Sequence, residues 1–221
     1  MTSTGQGPMK IIAFEEHYNL PVIHEAARKA NDPYALVLDR LADSGVFPND
    51  PKTGCPAGIF DLGEGRIALM DEAGIDVQIL SHSTPSAEGL EPSLARELTR
   101  QANDTVAAAI SKHRDRLLGF ATLPMVDPKA AARELERTVR DLSFVGALIN
   151  GHINGRYLDD KFFWPVFECA EALGVPIYLH PQWPPKAVVD TYYSGFAPEY
   201  LRFCRFVDSV GTSTLEYTAS G

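Results

Sequence analysis

Cysteine is scarce in this chain and never clustered: 221 residues contain three, Cys55, Cys169 and Cys204, far apart and odd in number. With no Cys-x-x-Cys pair, neither a zinc knuckle nor a disulfide framework is indicated, and a reducing compartment is expected. Basic charge is also short. Lys and Arg number 20 against 29 Asp and Glu, for a formal net charge of −9. No basic run of the kind that neutralises phosphates occurs, which argues against a nucleic-acid partner. Arg133, Arg137 and Arg140 read as a solvated helix face. No stretch approaches the roughly 18 apolar residues of a membrane helix. Met1 to Pro8 lack the apolar core of a signal peptide, so a soluble, cytoplasmic protein with no membrane partner is expected. The remaining composition, 45% hydrophobic and 22% charged, suits one sizeable core.

Five short, near-continuous apolar runs stand out, as strands covered on both faces should. They are Lys10 to Phe14, Asp76 to Leu80, Leu117 to Ala121, Phe144 to Ile149 and Val175 to Leu179. Amphipathic helices lie between them. One carries Leu94, Leu98, Ala102, Val106 and Ile110 in register; another has Asp127 as N-cap, Pro128 at its first position and Ala131, Leu135, Val139 and Leu142 on one face. A third runs from about Phe162 to Leu173 and stops at Gly174, with Phe162, Phe163 and Trp164 packing it onto the sheet. The segment Gly65 to Ala73 feeds the second strand through Gly74. Strand and helix alternating predicts parallel strands with right-handed crossovers, an α/β fold. Val46 to Gly63, rich in Pro, Gly and Asn, breaks the rhythm and reads as a loop insertion.

In barrels of such units, chemistry sits at the C-terminal ends of the strands. Polar residues gather there: Glu15 and His17, His82, Asn150 and His152, and His180, which places four of the six histidines at strand ends. Glu15 and His17, two apart on a strand, leave on the same face. A carboxylate beside an imidazole suits a divalent ion of the Zn or Mn type, and barrel curvature can bring His180 opposite them. A lone strand-end histidine is ordinarily a hydrogen-bonded structural residue; the Glu-x-His pair with a later strand-end His favours a site. His24 and His113 fall in helical stretches and are expected at the surface. His82, Asn150 and Trp183 are candidate substrate contacts, although His82 reads as structural or substrate-shaping and a loop hydrogen bond is the more usual role for Asn150 and His152. Trp183, Tyr192, Tyr193 and Phe196 could line an aromatic pocket or equally be core or oligomer contacts.

The run Ile12-Ala13-Phe14-Glu15-Glu16-His17 resembles the opening strand of the amidohydrolase-related decarboxylases, the group that includes γ-resorcylate and dihydroxybenzoate decarboxylases. Leu118 to Pro124, Phe144 to Ala147, Tyr157-Leu158-Asp159-Asp160 and Pro176 to Pro181 match the same group in order, over about residues 9 to 200. The resemblance implies an incomplete (β/α)8 TIM-type barrel of about five βα units. It also implies metal ligation by Glu15, His17 and His180, and non-oxidative decarboxylation of a small hydroxylated aromatic acid. In that chemistry a Zn or Mn ion holds the carboxylate and a neighbouring phenolic oxygen, and an Asp near the last strand protonates the ring carbon. Relatives opening with His-x-His include aminocarboxymuconate-semialdehyde decarboxylase, so the Glu-x-His form favours the aromatic-acid branch.

The sequence departs from the family after His180. The family's sixth-strand His, its Gly-His-x-Gly-Glu segment and its eighth-strand Asp have no counterpart, so the catalytic residues are expected beyond Gly221 and the chain is expected to be truncated. The expected layout is a flexible tail at 1–8, a partial barrel at 9–205 with an insertion at 46–63, and an atypical tail at 206–221. Alone, such a chain is expected to bind metal weakly and turn over little, with open edges at its first and fifth strands; full length, it is expected to be a homo-oligomer. The competing expectations are a metal-dependent hydrolase such as a lactonase, and a non-catalytic remnant.

Overall fold

The five apolar runs become the strands of one parallel sheet: β1 (Ile12–Tyr18), β2 (Val77–His82), β3 (Leu117–Ala121), β4 (Gly146–Asn150) and β7 (Ile177–His180), hydrogen-bonded in the order β1-β2-β3-β4-β7. This computed structural model describes residues 9–32, 35, 58–182 and 185–192. The expected tails at 1–8 and 206–221, most of the insertion at 46–63, and Trp183, Tyr193 and Phe196 lie outside the described residues. Between the strands run α1 (Pro21–Lys29), α2 (Glu64–Ala73), α3 (Pro92–Lys112), α4 (Pro128–Leu142) and α5 (Trp164–Leu173), the last preceded by a 3-10 turn, Lys161–Phe163. Beyond β7 lies α6 (Lys186–Tyr192), and a small hairpin, β5 (His152–Ile153) with β6 (Arg156–Tyr157), follows β4. Among the described residues, no helix is long and apolar enough to cross a membrane.

Local chemistry sets the helix limits. The Asp127 carboxylate accepts from Ala130 N at 3.1 Å, and Glu91 accepts from Ser93 N at 3.0 Å, which satisfies amides that have no partner inside α4 and α3. Gly74 and Gly174 end α2 and α5 at φ of 70° and 65°, a left-handed turn that glycine adopts without a Cβ clash. Leu98, Ala102 and Val106 of α3 and Ala131 and Leu135 of α4 are buried as the spacing predicts, and Leu117, Leu135, Ile149, Phe163 and Val166 share one core. Only Phe163 of the expected aromatic trio is buried; Phe162 and Trp164 are 41% and 47% exposed. His24, expected at the surface, is instead buried on α1 beside Ile23 and Ala27, and His113 lies 3.5 Å from Glu64.

The sheet curls strongly. Phe14 and Tyr178 come from the two edge strands, yet their ring centroids are 5.7 Å apart, and Phe120 of β3 stacks on Tyr178 at 6.1 Å. Side chains from opposite edges meet only when a sheet bends toward closure with helices outside, so the described residues form an incomplete (β/α)8 barrel of five parallel strands.

Candidate metal centre

A bulge shapes the end of β1. Ala13 pairs with Gln78 and Glu16 with Leu80, so Phe14 and Glu15 together stand opposite Ile79. The extra residue re-aims the strand: Phe14 reaches Tyr178 while its neighbour Glu15 reaches His180. Arg66 of α2 fastens this strand end from behind. Its guanidinium donates to the His17 carbonyl at 2.9 Å, the Asp61 carbonyl at 2.7 Å and Gln78 Oε1 at 3.2 Å, and Gln78 in turn donates to Glu16 at 2.8 Å.

On the concave side Glu15, His17 and His180 converge. His180 Nε2 lies 3.8 Å from Glu15 Oε1, the two imidazole centroids are 4.9 Å apart, and one ligand atom from each residue lies within 4.8 Å of the others. Each ring is oriented through Nδ1: that of His17 sits 3.0 Å from Ser81 Oγ, and that of His180 sits 3.2 Å from Asn150 Oδ1. Nε2 is therefore the nitrogen left for the centre, the arrangement that supports metal-binding histidines. Burial lowers the His17 pKa against the pull of Glu15. Burial, then the facing His17, brings His180 down to about 4. Both rings are thus neutral near pH 7 with a lone pair to give. Tyr178, raised to about 12 by burial and by its bond to Glu15, stays a neutral phenol. One carboxylate and two neutral imidazoles are a donor set that fits a divalent ion of the Zn or Mn type.

His82, Asn150 and His152 each carry hydrogen bonds within the fold. His82 is 2% exposed; its Nδ1 donates to the Ser83 carbonyl at 2.7 Å and its Nε2 accepts from Leu20 N at 3.3 Å, while Tyr18 packs edge-on. With both nitrogens engaged and burial pushing its pKa to about 4, His82 holds the β1 and β2 ends together. Asn150, 1% exposed, likewise faces inward: its Oδ1 meets His180, and its Nδ2 and backbone N donate to Glu88. His152 sits on the β5–β6 hairpin, where its Nδ1 accepts from Gly155 N at 3.1 Å. The third candidate, Trp183, lies outside the described residues.

Three residues of the site escaped the sequence reading. Ser81 precedes His82 at a strand end, and Tyr178 is two residues before His180 on the same strand face; both positions could have been read from the period-2 pattern. Glu88 lies in the loop after β2, where no periodicity marks it. It is 2% exposed and lines a cavity of about 180 Å³ with Thr84, Ser86, His152, Asn154 and Gln182. Burial pushes its carboxyl up to about 7, opposed by hydrogen bonds from Asn150 and Ser86.

A family model described as amidohydrolase matches residues 61–208. The chain belongs to the amidohydrolase family. The match takes in His180 and begins after β1, so Glu15 and His17 lie outside it. γ-Resorcylate decarboxylase of Polaromonas sp. JS666 is 42% identical over 154 residues, 66% of this chain and 47% of that protein. Among solved structures, 5-carboxyvanillate decarboxylase of Novosphingobium aromaticivorans, in complex with manganese and 4-hydroxy-3-methoxy-5-nitrobenzoic acid, is 35% identical. It superposes with a TM-score of 0.73 over 82% of this chain and 53% of that one. Dihydroxybenzoic acid decarboxylase of Polaromonas sp. JS666, with bound manganese and the inhibitor 2-nitroresorcinol, is 34% identical, with a TM-score of 0.69 over 93% of this chain and 59% of that one. The chain spans about half the length of the curated relatives it matches.

Proposed function

We propose that the chain carries the metal-binding part of a non-oxidative decarboxylase of small hydroxylated aromatic acids. The observation that carries the reading is the convergence of Glu15, His17 and His180 on one point of the concave face, with both rings already turned to present Nε2. The aromatic-acid decarboxylases among its relatives support the substrate class. A bound divalent ion supplies Lewis acidity and a template for the substrate carboxylate and its neighbouring oxygen. Glu15 contributes negative charge and His17 and His180 neutral donors. Phe14, Phe120 and Tyr178 give an aromatic wall beside the three ligands, a face on which a substrate ring can stack. The phenol of Tyr178 holds the Glu15 carboxylate by a hydrogen bond and so limits its rotation.

A cytoplasmic location is part of this proposal, and the free thiol of Cys169 is compatible with it. So is assembly with further polypeptide, since the β1 edge exposes Ile12 and Phe14 by 52% and 54%. The test has two arms. Titration with Mn2+, followed by the loss of the free-ion electron paramagnetic resonance signal, is expected to show weak, saturable binding of one ion per chain that His180→Ala removes. Assays of CO2 release from 2,6-dihydroxybenzoate and of lactone ring opening then separate decarboxylase from hydrolase. A folded chain that binds no Mn2+, or binds it equally well after His180→Ala, would overturn the metal centre; ring opening without CO2 release would overturn the decarboxylase.

A further inference from the structure

The carboxylate of Glu88 is surrounded by donors. Asn150 N lies 3.4 Å from Oε1, Ser86 Oγ lies 3.1 Å from Oε2, and Asn150 Nδ2 also bonds to Oε2. An ionised carboxylate can only accept hydrogen bonds, whereas a side-chain amide has one accepting and one donating end. Once ionised, above about pH 7, Glu88 therefore dictates which way the Asn150 amide turns. The reverse orientation would set the amide oxygen against the Glu88 oxygens, lone pair against lone pair, with water excluded from a residue only 1% exposed. With Nδ2 held by Glu88, the Asn150 oxygen is the atom presented to His180 Nδ1, at 3.2 Å. An oxygen acceptor at that point requires the proton on Nδ1, which leaves Nε2 bare on the side of Glu15.

Resting on the metal-centre reading above, we propose that Glu88 is a positioning residue of that centre: by fixing the orientation of the Asn150 amide, it fixes the tautomer in which His180 offers Nε2 to the ion. Glu88 touches neither the three ligands nor the space between them. Its effect passes through a single amide, and the amide's two ends are chemically distinct. At His17 the Ser81 hydroxyl both donates and accepts and so permits either tautomer, and the Ser81 backbone carbonyl is the acceptor-only partner. The state of His180 is thus set in part by a loop carboxylate on the far side of Asn150, beside the Pro181 carbonyl that also accepts from the ring.

Glu88→Gln keeps size and shape but replaces an acceptor-only group with an amide that serves both orientations of Asn150. The chain labelled with 15N-histidine, free of metal and held at pH 8.5, is expected to show His180 as the Nδ1–H tautomer, with the signal assigned by its loss in His180→Gln. In Glu88→Gln a population of the Nε2–H tautomer is expected to appear, and Mn2+ affinity is expected to fall about tenfold, the lower end for loss of a group that orients a metal-binding histidine. A parent chain with His180 in the Nε2–H form would overturn the proposal without any variant. So would a folded Glu88→Gln chain with an unchanged tautomer, or one with unchanged Mn2+ affinity. Failure of the parent chain to bind Mn2+ would count against the metal centre itself, and the tautomer readout would still judge Glu88.

Discussion

Replacing Glu88 by glutamine is expected to stabilise the fold at high pH and not at low pH. Burial raises the Glu88 carboxyl from 4.5 to about 7, so the folded chain holds a proton that the unfolded chain has already released. The stability tied to that proton is complete below pH 4.5 and is lost as pH rises through 7, because the carboxylate must then be carried charged into a site 2% exposed. A separation of about 2.5 units, at 1.36 kcal/mol each, puts the penalty at roughly 3 kcal/mol above pH 8. The glutamine amide of the variant does not titrate. The difference in stability between variant and parent is therefore expected to be near zero at pH 4.5 and to climb by roughly 3 kcal/mol by pH 8.5, or about 6–12 °C in Tm for a chain of this size. Urea unfolding followed by circular dichroism at both pH values measures it, and every other titrating group cancels in the difference. A difference that stays flat between pH 4.5 and 8.5 would show that Glu88 is solvated through its cavity. The same substitution is then expected to strengthen the fold and weaken the metal centre, as groups poised for function often do.

Three further outcomes follow from named contacts. His82→Gln should lose stability relative to the parent above pH 6.5, with the gap closing as pH falls toward 4. Neutral buried His82 contributes stability that disappears when acid titrates it, and a gap independent of pH in denaturant midpoints would refute this. Arg66→Met should cost about 3 kcal/mol, because the His17 and Asp61 carbonyls and the Glu16–Gln78 pair lose their shared donor. Mn2+ affinity should fall with it, and an unchanged affinity would separate the clamp from the site. Gly146→Ala should cost about 2 kcal/mol by urea unfolding, since a Cβ there would lie 2.4 Å from the Pro176 carbonyl oxygen and β4 and β7 would have to part; a neutral result would mean that they part freely.

Much of the scaffold was legible because it rests on local periodicity. Apolar runs near residues 117 and 177 and the 3.6-residue stripe of α4 are properties of neighbouring residues, so the strands, helices and caps at Asp127 and Gly174 needed no tertiary information. Boundaries were less secure. The first strand begins at Ile12 and not at Lys10, and it runs on to Tyr18 because pairing with β2 as far as His82 extends it. Glu15, His17 and His180 could be nominated because strand ends in such folds face one another and because their chemistry suits a cation.

Roles, unlike candidates, were not in the sequence. His82 and Asn150 have the same polar, strand-end appearance as His180, yet burial and partners turn one into a tie between strands and the other into a bracket for His180. Glu88 sits 62 residues from the asparagine it orients, and no local pattern encodes a contact at that separation. Which segments become strand or helix is settled locally along the chain, since backbone preference and amphipathic spacing act over a few residues. Only the curled sheet decided which polar groups are stripped of water and forced to find partners, because desolvation depends on everything packed around a group and not on its neighbours along the chain.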